Sequence, residues 1–257
     1  MTRSWGWLET FMVNHELSLD VPLPDGVEAG SVSALQEWTA SLARNRVAGV
    51  KFRNHGDGGH GGAHVRSCRM PGLPVFSVEW GTTVEGCPLE RFLAFSMTNM
   101  SELAPMWDDT YIDSADLATH GSSCDLTRYA KLVRWHFRMP APFRNREMLY
   151  LVVPIILSES ATLVNYLSVR SPRHPVEKGY VRAYNAAPSF DLAEVKDGDQ
   201  LVVRHLMTTR IGGWVSDRLV WNTVFRGPVI KNNAHEGAKV RALLEQELSQ
   251  GGIAQGG

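Results

Sequence analysis

The sequence predicts an α+β protein in which one antiparallel sheet curls around a long C-terminal helix. Three observations carry this. From residue 111 to residue 209, strand-like runs follow one another with only turn signals between them, such as KDGD at 196–199. Strands that close together pair antiparallel, because parallel neighbours would need helical crossovers between them. Residues 214–248 instead show helical spacing, with Leu219, Val220, Val224, Phe225, Val229 and Ile230 interrupted by Gly227-Pro228. That proline kinks the helix or starts its second half. Ahead of residue 111 the order is a helix, a few strands and two short helices. One sheet curled around one long helix is the economical way to pack that order.

Each element has a local reason. Residues 1–30 form a mixed leader ending in VPLPDGVEAG, whose prolines and glycines read as an arm or linker. Its Trp5, Trp7 and Phe11 lie on the protein's own body or on a partner. Ser33-x-x-Gln36 resembles a capping box, and Leu35, Trp38 and Leu42 then recur at helical spacing, so a helix of about a dozen residues starts there. NHGDGGHGGAHVRSC (54–68) offers His55, Asp57, His60 and His64 as metal ligands. Its glycines would hold such ligands loosely and it has no HExxH-type spacing, so it reads as a surface hairpin loop. Residues 73–85 alternate as a strand, Pro88 suits the first turn of a helix carrying Phe92, Phe95 and Met100, and APMWDDTYIDS suggests a short helix with an acidic turn. The later strands are expected at 128–138, 147–157, 161–169, 180–186, 189–195 and 200–209. The body spans 31–248, and 249–257 is a flexible tail.

Composition narrows the function. Lys+Arg 26 against Asp+Glu 27 leaves a net charge of -1, without the basic field that holds nucleic acid by its phosphates. Cys68, Cys87 and Cys124 are odd in number and widely spaced, unlike a disulfide framework or a zinc site. Glu9, His15 and Glu16 interrupt the N-terminus where a signal peptide needs an apolar core. No run reaches the roughly 18 apolar residues of a membrane span. The expectation is a soluble cytoplasmic protein with at most peripheral membrane association.

Four segments, in this order along the chain, resemble the steroidogenic-acute-regulatory-related lipid-transfer (START) family. LAPMWDD (103–109) is similar to its Trp-containing segment before the meander. MPAPFRNREMLYLVV (139–153) is similar to its strand-joining turn, with Arg146, Glu147 and Met148 leading into a strand. SPRHPVEKGYVRAY (171–184) is similar to the loop and strand in which Lys178-Gly179 precedes Val181-Arg182. LMTTRIGGWVSDRLVWNTVFRGP (206–228) is similar to the last strand, glycine turn and closing helix. The resemblance covers roughly residues 32–248 and implies a helix-grip fold enclosing a hydrophobic cavity. In the turn at 139–147, Pro140 and Pro142 stiffen the rim, while Arg144, Arg146 and Glu147 serve open backbone groups and a charged surface.

Strand alternation then selects a lining. In 128–138, Val133, Trp135 and Phe137 are expected to point inward because Arg134, His136 and Arg138 on the other face should meet water. The matching face of the next strand is Met148, Tyr150 and Val152. Some sterol-binding relatives bury an acid and an arginine on these strands; the matching positions here are Val133 and Val152. The expectation is a less polar cavity, since a buried ion pair is costly to desolvate, although a one-residue slip in register would reverse the faces. His205 and Met207 face inward from the last strand, and Trp214, Trp221 and Phe225 floor the cavity from the closing helix. The family analogy puts access at the loop 171–179, whose Arg173, His174 and Lys178 suit an anionic membrane surface, with Gly212-Gly213 as a hinge.

The expected activity is non-catalytic binding and intermembrane transfer, or sensing, of one hydrophobic lipid such as a sterol, phospholipid or carotenoid. A monomer is expected, without catalytic residues, cofactor or metal. The competing reading is a cyclase- or aromatase-like enzyme of the wider helix-grip superfamily, for which Tyr150, Tyr166, Tyr184 and His205 are the acid–base candidates. A third is a ligand-gated adaptor module whose partner contact would lie at Trp5 to Phe11.

Overall fold

The computed structural model describes residues 5–20, 31–44, 50–57, 63–70, 76–98, 104–106, 108–122, 125–139, 141–185, 189–196, 199–210 and 226–251. Helix α1 (Gly6–Asn14) and the short strand β1 (Ser18–Leu19) come first, followed by helix α2 (Val32–Ala43). Strands β2 (Lys51–Asp57), β3 (His64–Arg69) and β4 (Phe76–Glu85) lead to helix α3 (Leu89–Thr98). Next are β5 (Tyr111–His120), β6 (Ala130–Phe137), β7 (Arg146–Ser158), β8 (Ala161–Arg170), β9 (Val181–Arg182) and β10 (Tyr184–Asn185). The order ends with β11 (Ser189–Lys196), β12 (Gln200–Met207), β13 (Thr209–Arg210) and helix α4 (Arg226–Gly251).

The main sheet has 11 strands on the path β2-β3-β4-β12-β11-β8-β7-β6-β5, with β1 added to β8 and β9 to β7. Every pair along that path is antiparallel, whereas β9 joins β7 in parallel. Two blocks meet in this sheet. The first three of its path strands form one, the meander from β5 to β12 forms the other, and β4–β12 pairing from Gln200↔Glu85 to Met207↔Val78 welds them. That weld closes the longest loop along the nine-strand path, so its entropy cost falls on contacts made late in the chain.

Both faces of the sheet are covered. On one, α2 packs against β7 and β8, and α1 joins it in a cluster with Leu132, Leu151 and Leu167. On the other, α4 packs against β3 and β4, in a cluster that also takes in Val133, Tyr150, Val164 and Val203. On a flat sheet, β3 and β6 would lie roughly 30 Å apart at strand spacing. Sharing one packed cluster with a helix about 10 Å wide requires the sheet to curl. The α4 side is therefore the inner face and the α1/α2 side the outer.

Burial on both sides explains β7. Its residues from Arg146 to Ile155 are all buried, so its sequence is apolar almost without alternation, as a strand covered on both sides must be. Pro154 is tolerated there because the β6 pairing ends at Lys131↔Val152, which leaves no partner waiting for its missing N–H on that side.

Several expectations change. The face of β6 opposite Val133 points outward as expected, but it does not meet water: Leu132 is fully buried beneath α1 and α2, and His136 is 5 % exposed beneath Tyr180. The leader supplies part of the roof, with Leu8 fully buried and Phe11 4 % exposed. The helix cap is Ser31, whose Oγ accepts the Ala34 N–H at 3.2 Å. Gln36 is used elsewhere, its Oε1 accepting Asn165 Nδ2 at 2.6 Å across the outer core. Strand β5 is an addition, hidden from a periodicity reading because this edge strand has no buried residue and mixes exposed with half-buried ones without regular alternation, its pairing with β6 shifting register twice. The histidine-rich stretch forms the β2–β3 hairpin, with His55 bonded to Ser67 Oγ at 2.7 Å; His60 lies outside the described residues. Pro228 stands in the first turn of α4, where a proline's missing N–H costs nothing. Among the described residues no helix is long and apolar enough to cross a membrane.

Candidate functional site

The inner face of β6 and β7 is built by register. Val133 pairs with Tyr150, Trp135 with Met148, and Lys131 with Val152, and paired residues share a face. Trp135 organises this wall: its ring meets Tyr150 edge-on at 5.4 Å, Phe137 at 5.9 Å and Tyr166 of β8 at 6.1 Å. Val133, Met148, Tyr150 and Val152 are buried, while Trp135 and Phe137 keep part of their surface accessible. The Tyr150 hydroxyl donates to Asn185 Oδ1 at 3.4 Å, and burial holds its pKa above the usual phenol value.

A second, polar group crosses the same face farther along. Asp191 of β11 pairs with His205 of β12, and His205 in turn pairs with Trp80 of β4. Asp191 Oδ1 lies 2.6 Å from His205 Nδ1, and its Oδ2 accepts the Tyr166 hydroxyl at 2.6 Å. The His205 ring stacks on Trp80 at 5.5 Å. Burial pulls the imidazole pKa down, but the charge and hydrogen bond of Asp191 outweigh it and the net direction is up. Helix α4 closes over this row at Gly237, where a Cβ would come within 3.1 Å of the Trp80 ring. The preceding residue, Glu236, accepts Asn232 Nδ2 from one turn earlier at 2.6 Å. Burial and then nearby Asp108 push the Glu236 pKa up to about 8.

The inner face is apolar at the two positions singled out by sequence and charged elsewhere. Val133 and Val152 are indeed apolar and buried, and Arg134 lies on the outer side of β6. Two charged pairs nevertheless remain on the inner side. Lys131, 3 % exposed, holds Asp116 at 3.2 Å, and Asp191 holds His205. One pair joins Lys131 of β6 to Asp116 of β5 and the other lies on β11 and β12, so inspecting positions 133 and 152 alone missed them. Asp191 had a legible signal: it shares its strand parity with Ala193 and Val195, a lone acid on an apolar face. Glu236 had only a helical i, i+4 relation to Asn232. Met207 pairs with Val78 at the far end of the same row. Trp214, Trp221, Phe225, Gly212 and Gly213 lie outside the described residues.

The rim turn also differs from its expectation. Glu147 is fully buried and Arg146 is 5 % exposed, so these two are not surface charge, whereas Arg144 is exposed and its carbonyl accepts from Arg146 as expected. On the outer side, Glu147 Oε1 holds Arg182 Nη2 at 2.7 Å, and its Oε2 accepts the Glu177 backbone N–H at 3.0 Å. His136 lies 3.4 Å from Glu147 and 2.6 Å from Asp113, and stacks on Tyr180 at 4.1 Å. Arg134 binds Glu177. Ligand atoms of His136, Glu147 and Glu177 come within 4.8 Å of one another, but Arg134 and Arg182 supply the positive charge that these acids need. The cluster ties loop 171–179 to the sheet. From the other side, Arg173 Nε donates to Glu16 at 2.9 Å and Ser171 Oγ donates to the His15 carbonyl at 3.0 Å. The His174 carbonyl accepts Arg182 Nη2 at 3.0 Å, and Lys178 is exposed.

Comparison with known proteins gives a likeness of structure. No sequence-family profile matches the chain, and no curated protein sequence does. The crystal structure of human STARD10 superposes with a TM-score of 0.60 at 15% identity, covering 88% of this chain and 87% of that one. Human StAR-related lipid transfer protein 5 gives 0.62 at 17%, covering 82% and 94%. A STAR-related lipid transfer protein fragment from Xanthomonas axonopodis gives 0.55 at 17%, covering 77% and 99%. With the curled sheet and its long C-terminal helix already described, these superpositions identify the chain as having the helix-grip fold of the START domains.

Proposed function

We propose that the chain holds one hydrophobic molecule between its inner face and α4 and carries or senses it without altering it. One observation supports this most. Trp135, Phe137 and Met139 on one wall, and Val229 and Ile230 on α4, pack around the inner core yet remain only partly buried. A protein interior normally closes around such side chains to crystal-like density, so accessible apolar surface there favours an occupant. Burial of apolar ligand surface, at about 25 cal/mol per Å² removed from water, would drive uptake from a membrane. The lipid-transfer proteins sharing the fold support the same reading.

A sterol, phospholipid or carotenoid is the proposed class, taken up by a monomeric cytoplasmic protein during transient membrane contact at loop 171–179. Native mass spectrometry of the purified protein, followed by extraction and identification of what co-purifies, tests the proposal. One apolar molecule per chain is the expected result. Protein that stays empty on exposure to a mixed lipid panel would sink it. The Asp191–His205 pair favours a second reading, an acid–base enzyme, which a chemically altered product after incubation would support.

A further inference from the structure

The inner face carries more polar equipment than an apolar cargo needs, and its chemistry is specific. Asp191 spends both carboxylate oxygens inside the sheet, one on Tyr166 and one on His205. That leaves the imidazole clamped between an acid and the Trp80 ring, with Nδ1 occupied and Nε2 without a partner among the described residues. His205 remains 23 % accessible on a face covered by α4. Beside it, Trp80 is 4 % exposed and its indole N–H is directed at the Glu236 carboxyl without completing a hydrogen bond of normal geometry. On the same face of β4, buried Thr82 Oγ1 is also unpartnered. Buried polar atoms are nearly always satisfied, and exceptions at one place call for a missing partner.

The charge balance selects the partner's chemistry. The described inner positions of β4, β11 and β12 hold no arginine or lysine. Lys239, the cation nearest Glu236 on α4, is bound to Asp109 at 2.8 Å. A phosphate or carboxylate would therefore meet Asp191 and Glu236 with His205 already committed to Asp191. A neutral group fits better, and it should both donate and accept: Nε2–H of the imidazolium paired with Asp191 donates, while a Glu236 carboxyl oxygen and Thr82 Oγ1 accept. A hydroxyl is the smallest group that does both.

We propose that Asp191, His205, Trp80 and Glu236 form a polar subsite that anchors the hydroxyl of a hydrophobic alcohol. This rests on the reading of the inner face as a ligand cavity and adds the identity of the ligand's polar end. In this arrangement Asp191 is a positioning residue that fixes the imidazole, and Tyr166 fixes Asp191. His205 makes the contact.

The experiment is competition against a bound fluorescent apolar probe on the full chain. The competitors are 1-hexadecanol with hexadecane, cholestanol with cholestane, and hexadecanoic acid and hexadecylamine as charged controls. At least one alcohol should outcompete its alkane by about tenfold, the worth of one good hydrogen bond. His205→Phe, which keeps a ring against Trp80, should bring alcohol and alkane within about twofold. Equal wild-type binding of alcohol and alkane, a preference that survives His205→Phe, or a stronger acid or amine would each overturn the subsite while the cavity stands. A probe that never binds would overturn the cavity reading and the subsite with it. Should His205→Phe fail to fold, nitrogen NMR of the wild-type imidazole decides: the Nε2 resonance should move with an alcohol and stay with its alkane, and the same response to both would overturn the proposal.

Discussion

Two buried carboxylates, each beside a histidine, lie on opposite faces of the same sheet. On the outer face Glu147 is surrounded: Arg182 at 2.7 Å, the Glu177 N–H at 3.0 Å, and His136 at 3.4 Å with its other nitrogen on Asp113. On the inner face Asp191 is equally well held, but the group it holds is not finished, because His205 has used one nitrogen and Thr82 Oγ1 nearby is unpartnered. Both clusters keep buried polar atoms without a hydrogen bond, Glu147 Oε1 and the Nε atoms of Arg134 and Arg182 on the outer side. The outer cluster sets two arginines against its acids and joins pieces of chain, here β6, β7, β9 and loop 171–179. The inner pair has no arginine or lysine at the described inner positions of β4, β11 and β12. Burial alone does not separate the two; the balance of charge does.

Glu147→Ala is the hardest blow to that comparison. It strands Arg182 and Arg134 in a covered site, and loss of one partner from a buried pair costs about 3–5 kcal/mol, to be read from urea unfolding. A loss below about 1 kcal/mol would mean that the cluster is not a latch. Next is Glu236→Gln. The folded carboxyl titrates near 8 against an ordinary 4.5, so folding favours its protonated form: the protein loses stability as pH rises from 4.5 through 8. The variant should gain on the order of 1–3 kcal/mol at pH 8 and nothing at pH 4, which melting curves across pH will check. A gain that ignores pH would show that Glu236 is ionised in the folded protein.

Asp191→Asn sharpens the contrast from the inner side. Asparagine still accepts from Tyr166, so the expected cost is about 1–2 kcal/mol, well under that of the outer acid. The same variant removes the charge that raises His205, and its imidazole pKa, followed by NMR, should fall. An unfolding cost equal to that of Glu147→Ala would make both clusters structural. The smallest effect belongs to Arg173→Ala. Its partner Glu16 and Arg173 itself are both about half exposed, so their separation should change stability by less than about 0.5 kcal/mol.

The helix-grip order was readable because each element advertises itself locally. The meander follows from closely spaced strand runs, the closing helix from its spacing and Pro228, and the shared face of Val133, Trp135, Tyr150 and Val152 from simple alternation. What escaped lay where local pattern is weak or two-valued. Edge strand β5 has no apolar stripe, and α1 hides in a leader with proline and glycine beyond it. Glu147 looks like surface charge until Arg182, His136 and the loop cover it. The site divides in the same way: His205 could be assigned a face from its own strand, whereas its partner could not be named.

Alternation and spacing along this chain therefore determine which segments are strands, which side of each is apolar, and that a long helix closes the domain. Each is a property of neighbours within a few residues. The meeting of Asp191 with His205, Tyr166 and Trp80, and of Glu147 with Arg182, was decided by the strand order β8-β11-β12-β4 and by the β9 pairing. Those contacts are made by segments distant along the chain, and a hydrogen bond reports its partner only after the fold has brought both ends together.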